Sequence, residues 1–206
     1  MSQTTVEQFI AGLETLGLSV NQKQIDQLLN LLVLLQKWNR TYNLTAIKGL
    51  HQMIVWHLLD SLALSIYIDG DQILDVGTGA GFPGLPLAII HPLQHFVLLD
   101  SNLKKTRFVQ QAVFELGIDN VEVVHTRIQD YQPEHQFDTV FARAVSSLAD
   151  MVDNVTRLVN HGGRILLPKG QFPQTEITGI IDYEFSVIKL DIPGMDAQRH
   201  LVMVDC

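Results

Sequence analysis

Two aspartates, each ending a short apolar run, and a cluster of glycines between them are the residues best placed to do chemistry. Asp75 ends the apolar run that begins at Ile73, and glycines follow at 77, 79, 81 and 84. Asp100 closes the run that begins at His95. Glycines so placed allow a tight turn, bring a ligand against bare backbone and open a helix with free N–H groups. Open α/β sheets hold nucleotide-like ligands at such turns. Gly79-x-Gly81-x-x-Gly84 also fits the dinucleotide fingerprint, which alone is a weak signal. Two features argue against a pyrophosphate. Asp75 puts a carboxylate where it repels phosphate and can meet an ammonium, and Phe82-Pro83 crowds the helix start.

A carboxylate in the place of Asp100 accepts hydrogen bonds from ribose hydroxyls. The two aspartates, with Gly77, Gly79 and Gly81 between them, therefore suit S-adenosylmethionine, an adenosine joined to a cationic amino acid without phosphate. The ordinary alternative for either aspartate is a plain strand-end or helix-capping residue. A third contact region follows the third expected strand at Thr126–Asp130. There Ile128 can pack on an adenine face and Gln129 or Asp130 can bond its amino group, or the segment is simply a polar loop.

Absences narrow the methyl acceptor. The Asn/Asp-Pro-Pro-aromatic stretch used for exocyclic adenine nitrogens does not occur after the fourth expected strand, where residues 141–147 stand instead. Pyrimidine C5 chemistry needs a cysteine nucleophile, and Cys206 is the last residue. No metal-ligand spacing such as His-Glu-x-x-His is present, so no metal is expected. Acceptors that carry no proton to remove remain, guanine N7 among them, and these ask for positioning rather than a general base. Arg127, Arg143, Lys169 and Arg199 lie at or beside expected strand ends, while Lys104, Lys105 and Arg107 open the helix after Asp100. Together they outline a cationic rim suited to RNA phosphates, or a set of merely solvated side chains. Arg143 is expected to position cofactor or RNA backbone, because a guanidinium on guanine O6 and N7 would block the acceptor.

The elements that must hold these residues fall into two parts. Residues 1–68 read as a helical cap, with apolar residues at helical spacing over Val6–Leu16 and Ile25–Leu35, a turn-like Lys37–Thr45, and a third helix from His51 to Tyr67. Residues 69–206 alternate strand and helix. Strands are expected at Gln72–Val76, His95–Leu99, Val121–His125, Thr139–Ala142, Arg164–Leu167, Phe185–Leu190 and His200–Val204. Helices are expected at Pro83–Ile90, Lys104–Leu116 and Leu148–Val159. The pattern is an α/β, Rossmann-like, mostly parallel seven-stranded sheet whose last strand is antiparallel. The 206 residues are 47% hydrophobic and 17% charged, which excludes disorder and supports a sizeable core. A single cysteine excludes a disulfide framework. The formal net charge of −8 argues against tight binding of naked nucleic acid while leaving room for a local basic face. With no basic secretion-signal start and no membrane-length apolar run, a cytoplasmic, monomeric protein is expected.

Several stretches together resemble the bacterial ribosomal small-subunit methyltransferase G family, also called glucose-inhibited division protein B. They are Lys37–Thr45, His57–Ser61, Asp75–Gly84, Leu99–Ser101, Phe141–Leu148, Lys169–Gln171 and Arg199–Val202. The aromatic N-terminal stretch together with Phe-Pro-Gly is the most specific of these. The resemblance implies a class I methyltransferase that uses S-adenosylmethionine to methylate guanine N7 in the 530 loop of 16S rRNA within the small subunit. It implies cofactor contacts at Gly77, Phe82, Ile128, Gln129 and Arg143, and an RNA-facing basic patch at Lys169 and Arg199. Ala142 and Val145 depart from the family, where a serine and an aromatic are frequent. Three other readings stay open: a small-molecule methyltransferase, a non-catalytic ribosome-assembly binder on the same fold, and a nicotinamide dehydrogenase.

Overall fold

The computed structural model describes residues 3–142, 148–175 and 183–206. Helices α1 (Gln3–Thr15) and α2 (Gln22–Tyr42) open the chain. A capping box starts α2: the Asn21 side chain accepts the Gln24 N–H at 3.0 Å, and the Gln24 side chain accepts the Asn21 N–H at 3.0 Å. The helix ends at Asn43, which takes the left-handed conformation with φ 51°. Lys37–Tyr42 is thus helical, where the sequence reads as a turn. Trp38 packs edge-on against Phe108 at 5.7 Å and beside Tyr42 at 5.2 Å, and this tertiary contact carries the helix on to Asn43.

The expected third helix is present but broken. It runs as α3 (Leu50–Met53), a π-helical turn (Ile54–Leu59), α4 (Asp60–Leu62) and a 3-10 turn (Ser65–Tyr67). Helix α1 packs on the π-helical turn at Gly12, where a Cβ would stand only 2.7 Å from Leu59 Cδ1. A larger residue would push the two apart.

From Gln72 the chain builds β1 (Gln72–Val76), α5 (Gly84–Ile90), β2 (His95–Asp100), α6 (Leu103–Leu116), β3 (Val121–His125), β4 (Phe137–Ala142), α7 (Leu148–Thr156), β5 (Val159–Lys169), β6 (Glu184–Leu190) and β7 (Arg199–Asp205). The strands form one sheet in the order β3-β2-β1-β4-β5-β7-β6. Strands β1 to β5 pair in parallel, and β7 runs antiparallel to both β5 and β6. The expected mixed sheet and terminal hairpin are both present. β5 begins five residues before Arg164, so α7 stops at Thr156 rather than at Val159.

Alternation along the strands divides two buried layers. Ile73, Phe96, Leu98, Phe141 and Leu166 face α5 and α6, together with Phe9, Leu28, Leu32 and Leu58 from the N-terminal helices. Leu74, Val97, Leu99, Val140 and Ile165 face α7 through Leu148, Met151 and Val155. Two glutamines of α2 satisfy carbonyls at the ends of the sheet helices: Gln24 Nε2 donates to Ile89 O at 3.0 Å and Gln27 Nε2 to Leu116 O at 2.8 Å. No helix among the described residues is long and apolar enough to cross a membrane.

At the opposite edge of the sheet from the glycine loop, Asp138 ties β4 to β1 and β5. Its Oδ2 accepts the Asp71 and Gln72 N–H groups, each at 2.9 Å, and its Oδ1 accepts Asn160 Nδ2 at 2.7 Å. Burial opposes ionisation of this carboxyl, but the three hydrogen bonds outweigh it and lower its pKa. An Asp138→Ala variant is expected to lose about 2 kcal/mol of stability at neutral pH, by analogy with other hydrogen bonds to charged groups. Because the native pKa is depressed, this contribution holds above about pH 4 and fades as the pH falls through the native value. Urea unfolding at pH 7 and pH 3 checks it: the gap between variant and wild type should narrow at pH 3.

Candidate active site

The loop from β1 to α5 carries positive φ at Gly77 (70°), Gly79 (65°) and Gly81 (85°), a path that few residues with a Cβ tolerate. Its donors are turned inward. Gly77 and Thr78 N–H both reach Leu99 O, at 2.8 and 3.0 Å, and Gly81 and Phe82 N–H both reach Thr78 O at 3.0 Å. Asp100 Oδ2 accepts the Gly79 N–H at 2.8 Å, and Asp75 Oδ2 accepts the Gly84 N–H at 2.9 Å. A pyrophosphate site needs N–H groups aimed outward, and here the protein's own carboxylates and carbonyls take them. The dinucleotide reading loses its physical basis.

Among the described residues, none comes within 4 Å of where a Gly77 Cβ would stand, so they leave the space above the loop open. At Gly79 that position lies 3.9 Å from Gly77 O and 3.9 Å from Lys105 Nζ. The open, glycine-walled cradle fits a phosphate-free adenosyl ligand, with Lys105 leaning over it. Asp75 is fully buried and braces the start of α5 from below. Asp100 is 8% exposed, and its Oδ1 also accepts the Asn102 N–H at 2.7 Å. Asn102 in turn caps α6 through Lys104 N–H at 3.0 Å. Both aspartates therefore shape the loop, a strand-end role that the sequence left open beside ligand contact.

The third contact region lies at the same sheet edge. Ile128 and Gln129 form a 3-10 turn directly after β3, held by Arg157, whose guanidinium donates to Ile128 O at 2.6 Å and Tyr131 O at 2.9 Å. His125 Nε2 meets Ser101 O at 3.0 Å and ties this turn to the loop that follows Asp100. Phe82, expected at the cofactor, is 3% exposed and turns into the cap, where it stacks on His57 at 4.6 Å. His57 Nε2 pairs with Thr45 Oγ1 at 3.0 Å, and Asn39 holds Thr45 by both its N–H and its C=O, at 2.9 and 3.0 Å. The contacts of Trp38 and His57 are thus distinct: Trp38 packs α2 on α6, while His57 stacks on Phe82 of the glycine loop.

The basic rim divides as well. Arg127 and Lys104 are exposed. Lys169 ends β5 beside the start of β7, as the antiparallel pairing of Lys169 with His200 requires. Arg199 is mostly buried and engaged: its Nε donates to Asp60 Oδ1 at 2.8 Å, and its guanidinium lies over the Trp56 ring at 4.9 Å. Asp60 and Trp56 gave no functional signal in the sequence, although Asp60 stands in one of the family-like stretches. Arg143 and Val145 lie outside the described residues.

The comparisons agree with this geometry. Residues 24–202 match the model of the family described as rRNA small subunit methyltransferase G. Over 194 residues the chain is 50% identical to the Ribosomal RNA small subunit methyltransferase G of Nitrosococcus oceani, covering 93% of this chain and 90% of that one. It is 46% identical to the protein of the same name from Psychromonas ingrahamii, over 91% of this chain and 92% of that one. Among solved structures, a SAM dependent methyltransferase from Aquifex aeolicus superposes with a TM-score of 0.58 at 17% identity, over 75% of this chain and 92% of the other, and shares the fold. An inward-bonded glycine loop on a methyltransferase sheet and two near-full-length relatives lead to one assignment: the chain belongs to the rRNA small subunit methyltransferase G family.

Proposed function

We propose that the protein transfers the methyl group of S-adenosylmethionine to N7 of a guanine in the 530 loop of 16S rRNA, presented by the small ribosomal subunit or its precursor. The observation that carries this reading is the glycine loop, whose donors are bonded within the protein while its open side admits an adenosyl group. Gly77, Gly79 and Gly81 would form the floor, Asp100 the ribose side, and Ile128 and Gln129 the adenine side. Bound S-adenosylmethionine supplies an electrophilic methyl group on a sulfonium. Guanine N7 offers a lone pair with no proton to remove, so the chain's task is to orient the base, exclude water and hold charge. Residues 1–68 act as a cap that shapes the loop through His57, with Arg143 as a positioning group and the protein working as a monomer. Arg127, Lys104, Lys169 and Arg199 make up the RNA-facing side.

Labelled S-adenosylmethionine, incubated with small subunits from cells lacking this protein, tests the reading. Label on one guanine N7 supports it. Label on a small metabolite instead, or subunit binding without transfer, would replace it with one of the other readings.

Lys105 leaves the RNA face and joins the cofactor site, since its ammonium leans over Gly79 and complements a carboxylate. Lys105→Ala is expected to weaken S-adenosylmethionine binding by about tenfold, the scale of one charge-assisted contact. Lys104→Ala should leave that affinity unchanged. Calorimetric titration of both variants checks the difference, and equal affinities would return Lys105 to the RNA face.

A further inference from the structure

A cavity of about 210 Å³ lies between the helical cap and the sheet edge, on the β5 and β7 side of the glycine loop. Asp60, Leu64, Pro83, Pro168, Lys169 and Arg199 are among its walls. Pro83 belongs to the glycine loop itself, so the cavity adjoins the cofactor cradle on the side away from Asp100. Its apolar walls can hold a flat ring, and its volume is below the roughly 300–1,000 Å³ typical of drug-sized sites. Asp60 is the one carboxylate among the described residues that line it. The side chain is aimed by the 2.8 Å bond from Arg199 Nε to Oδ1, and Arg199 is itself fixed over Trp56 and by a 3.1 Å bond to Gln198 O.

We propose that this cavity receives the target base and that the Asp60 carboxylate reads its N1–H and 2-amino edge, selecting guanine. The inference rests on the guanine-N7 reading and names how that site recognises its substrate. Enzymes that act on a base extrude it into a pocket and read the Watson–Crick edge by hydrogen bonds. On guanine, N7 lies on the edge it shares with O6, and the N1–H and 2-amino donors lie on the adjacent Watson–Crick edge, roughly at right angles to the N7 lone pair. A base whose N7 points toward the methyl donor at the glycine loop therefore presents two parallel donors to a side wall of the cavity, and Asp60 is among the residues that line it. A carboxylate carries about four acceptor sites, so Asp60 can keep Arg199 and still accept both donors.

The same contact favours the reaction. Methylation forms the N7–C bond with the ring lone pair and breaks the S–C bond, whose electron pair stays on sulfur. The positive charge passes from sulfonium to purine and no proton is lost. A carboxylate on the N1–H edge strengthens its hold as that charge grows, the form of electrostatic stabilisation that raises rate rather than ground-state binding.

Asp60→Asn separates this role from a purely structural ion pair. The amide oxygen still accepts from Arg199 Nε in a side chain of the same size, but its NH₂ faces the donors of guanine. Single-turnover methylation is measured on small subunits reconstituted with 16S rRNA carrying either guanine or inosine at the target position; inosine lacks the 2-amino group. Wild type is expected to favour guanine over inosine by about tenfold or more, the scale of one hydrogen bond to a charged group. The variant should methylate guanine about 30-fold or more slowly with unchanged S-adenosylmethionine affinity, and its preference for guanine should shrink to about threefold or less. Equal rates on guanine and inosine in the wild type, which needs no variant to fold, would overturn the proposal. So would a near-wild-type rate for Asp60→Asn. If wild type fails to methylate the guanine particle at all, the guanine-N7 reading falls and this inference falls with it.

Discussion

Asp100→Ala is expected to bind S-adenosylmethionine at least about 100-fold more weakly than wild type. The carboxylate does more than meet a ribose: its Oδ2 holds the Gly79 N–H and its Oδ1 holds the Asn102 N–H, at 2.8 and 2.7 Å. Removing it frees the floor of the cradle and loosens the cap of α6 in one step. Two hydrogen bonds to a charged group, each worth about 1.5–3 kcal/mol, exceed the roughly 2.7 kcal/mol that a 100-fold loss requires. The site is partly open to water, so the loss of folding stability should be smaller, about 1–2 kcal/mol. Asp100→Asn keeps one acceptor and should fall between the two. Calorimetric titration, with thermal unfolding as control, decides it. Wild-type affinity in the alanine variant would remove both the ribose contact and the loop role.

What could be read from the sequence follows how local each feature is. β1 and β2 are buried on both faces, so Ile73–Leu74 and Phe96–Leu99 appear as unbroken apolar runs, each followed by an aspartate. The glycine loop lies within ten residues of chain and is fully legible. Residues 159–163 were not. Asn160, His161 and two glycines carry no strand pattern, yet they extend β5. Their place is set by the bonds from Gly162 N–H to Cys206 O (2.7 Å) and from Cys206 N–H to Gly163 O (2.9 Å). Local patterning also could not show the π-helical turn, which matches α1 across Gly12. The pairing of Asp60 with Arg199 was equally hidden, because the partners stand 139 residues apart. The base-facing wall is assembled from such long-range contacts, whereas the cofactor floor is assembled from short ones.

Gly84→Ala tests the second half of that floor, and its effect should be on folding rather than on ligand binding. Gly84 has ordinary helical geometry, so no torsional penalty applies; the obstacle is space. A Cβ there would collide with the Leu98 side chain and stand 2.8 Å from Asp75 Oδ2. Neither neighbour can yield, since Leu98 and Asp75 are both fully buried in the sheet. Shifting α5 outward instead would stretch the 2.9 Å bond from Gly84 N–H to Asp75. Overpacking plus a weakened buried hydrogen bond amounts to about 3 kcal/mol, or a fall in Tm of about 6–12 °C for a chain of this size. Gly77→Ala provides the contrast. Its positive φ costs about 1–2 kcal/mol in a residue with a Cβ, but that Cβ would meet none of the described residues within 4 Å. It should lower Tm by only about 2–8 °C while intruding on the adenosyl cradle, so its larger effect falls on S-adenosylmethionine affinity. Differential scanning calorimetry and titration on the pair distinguish a glycine kept for packing from one kept for its ligand. Equal falls in Tm with equal affinities would mean that the loop moves as a unit and that the two glycines have no separate tasks.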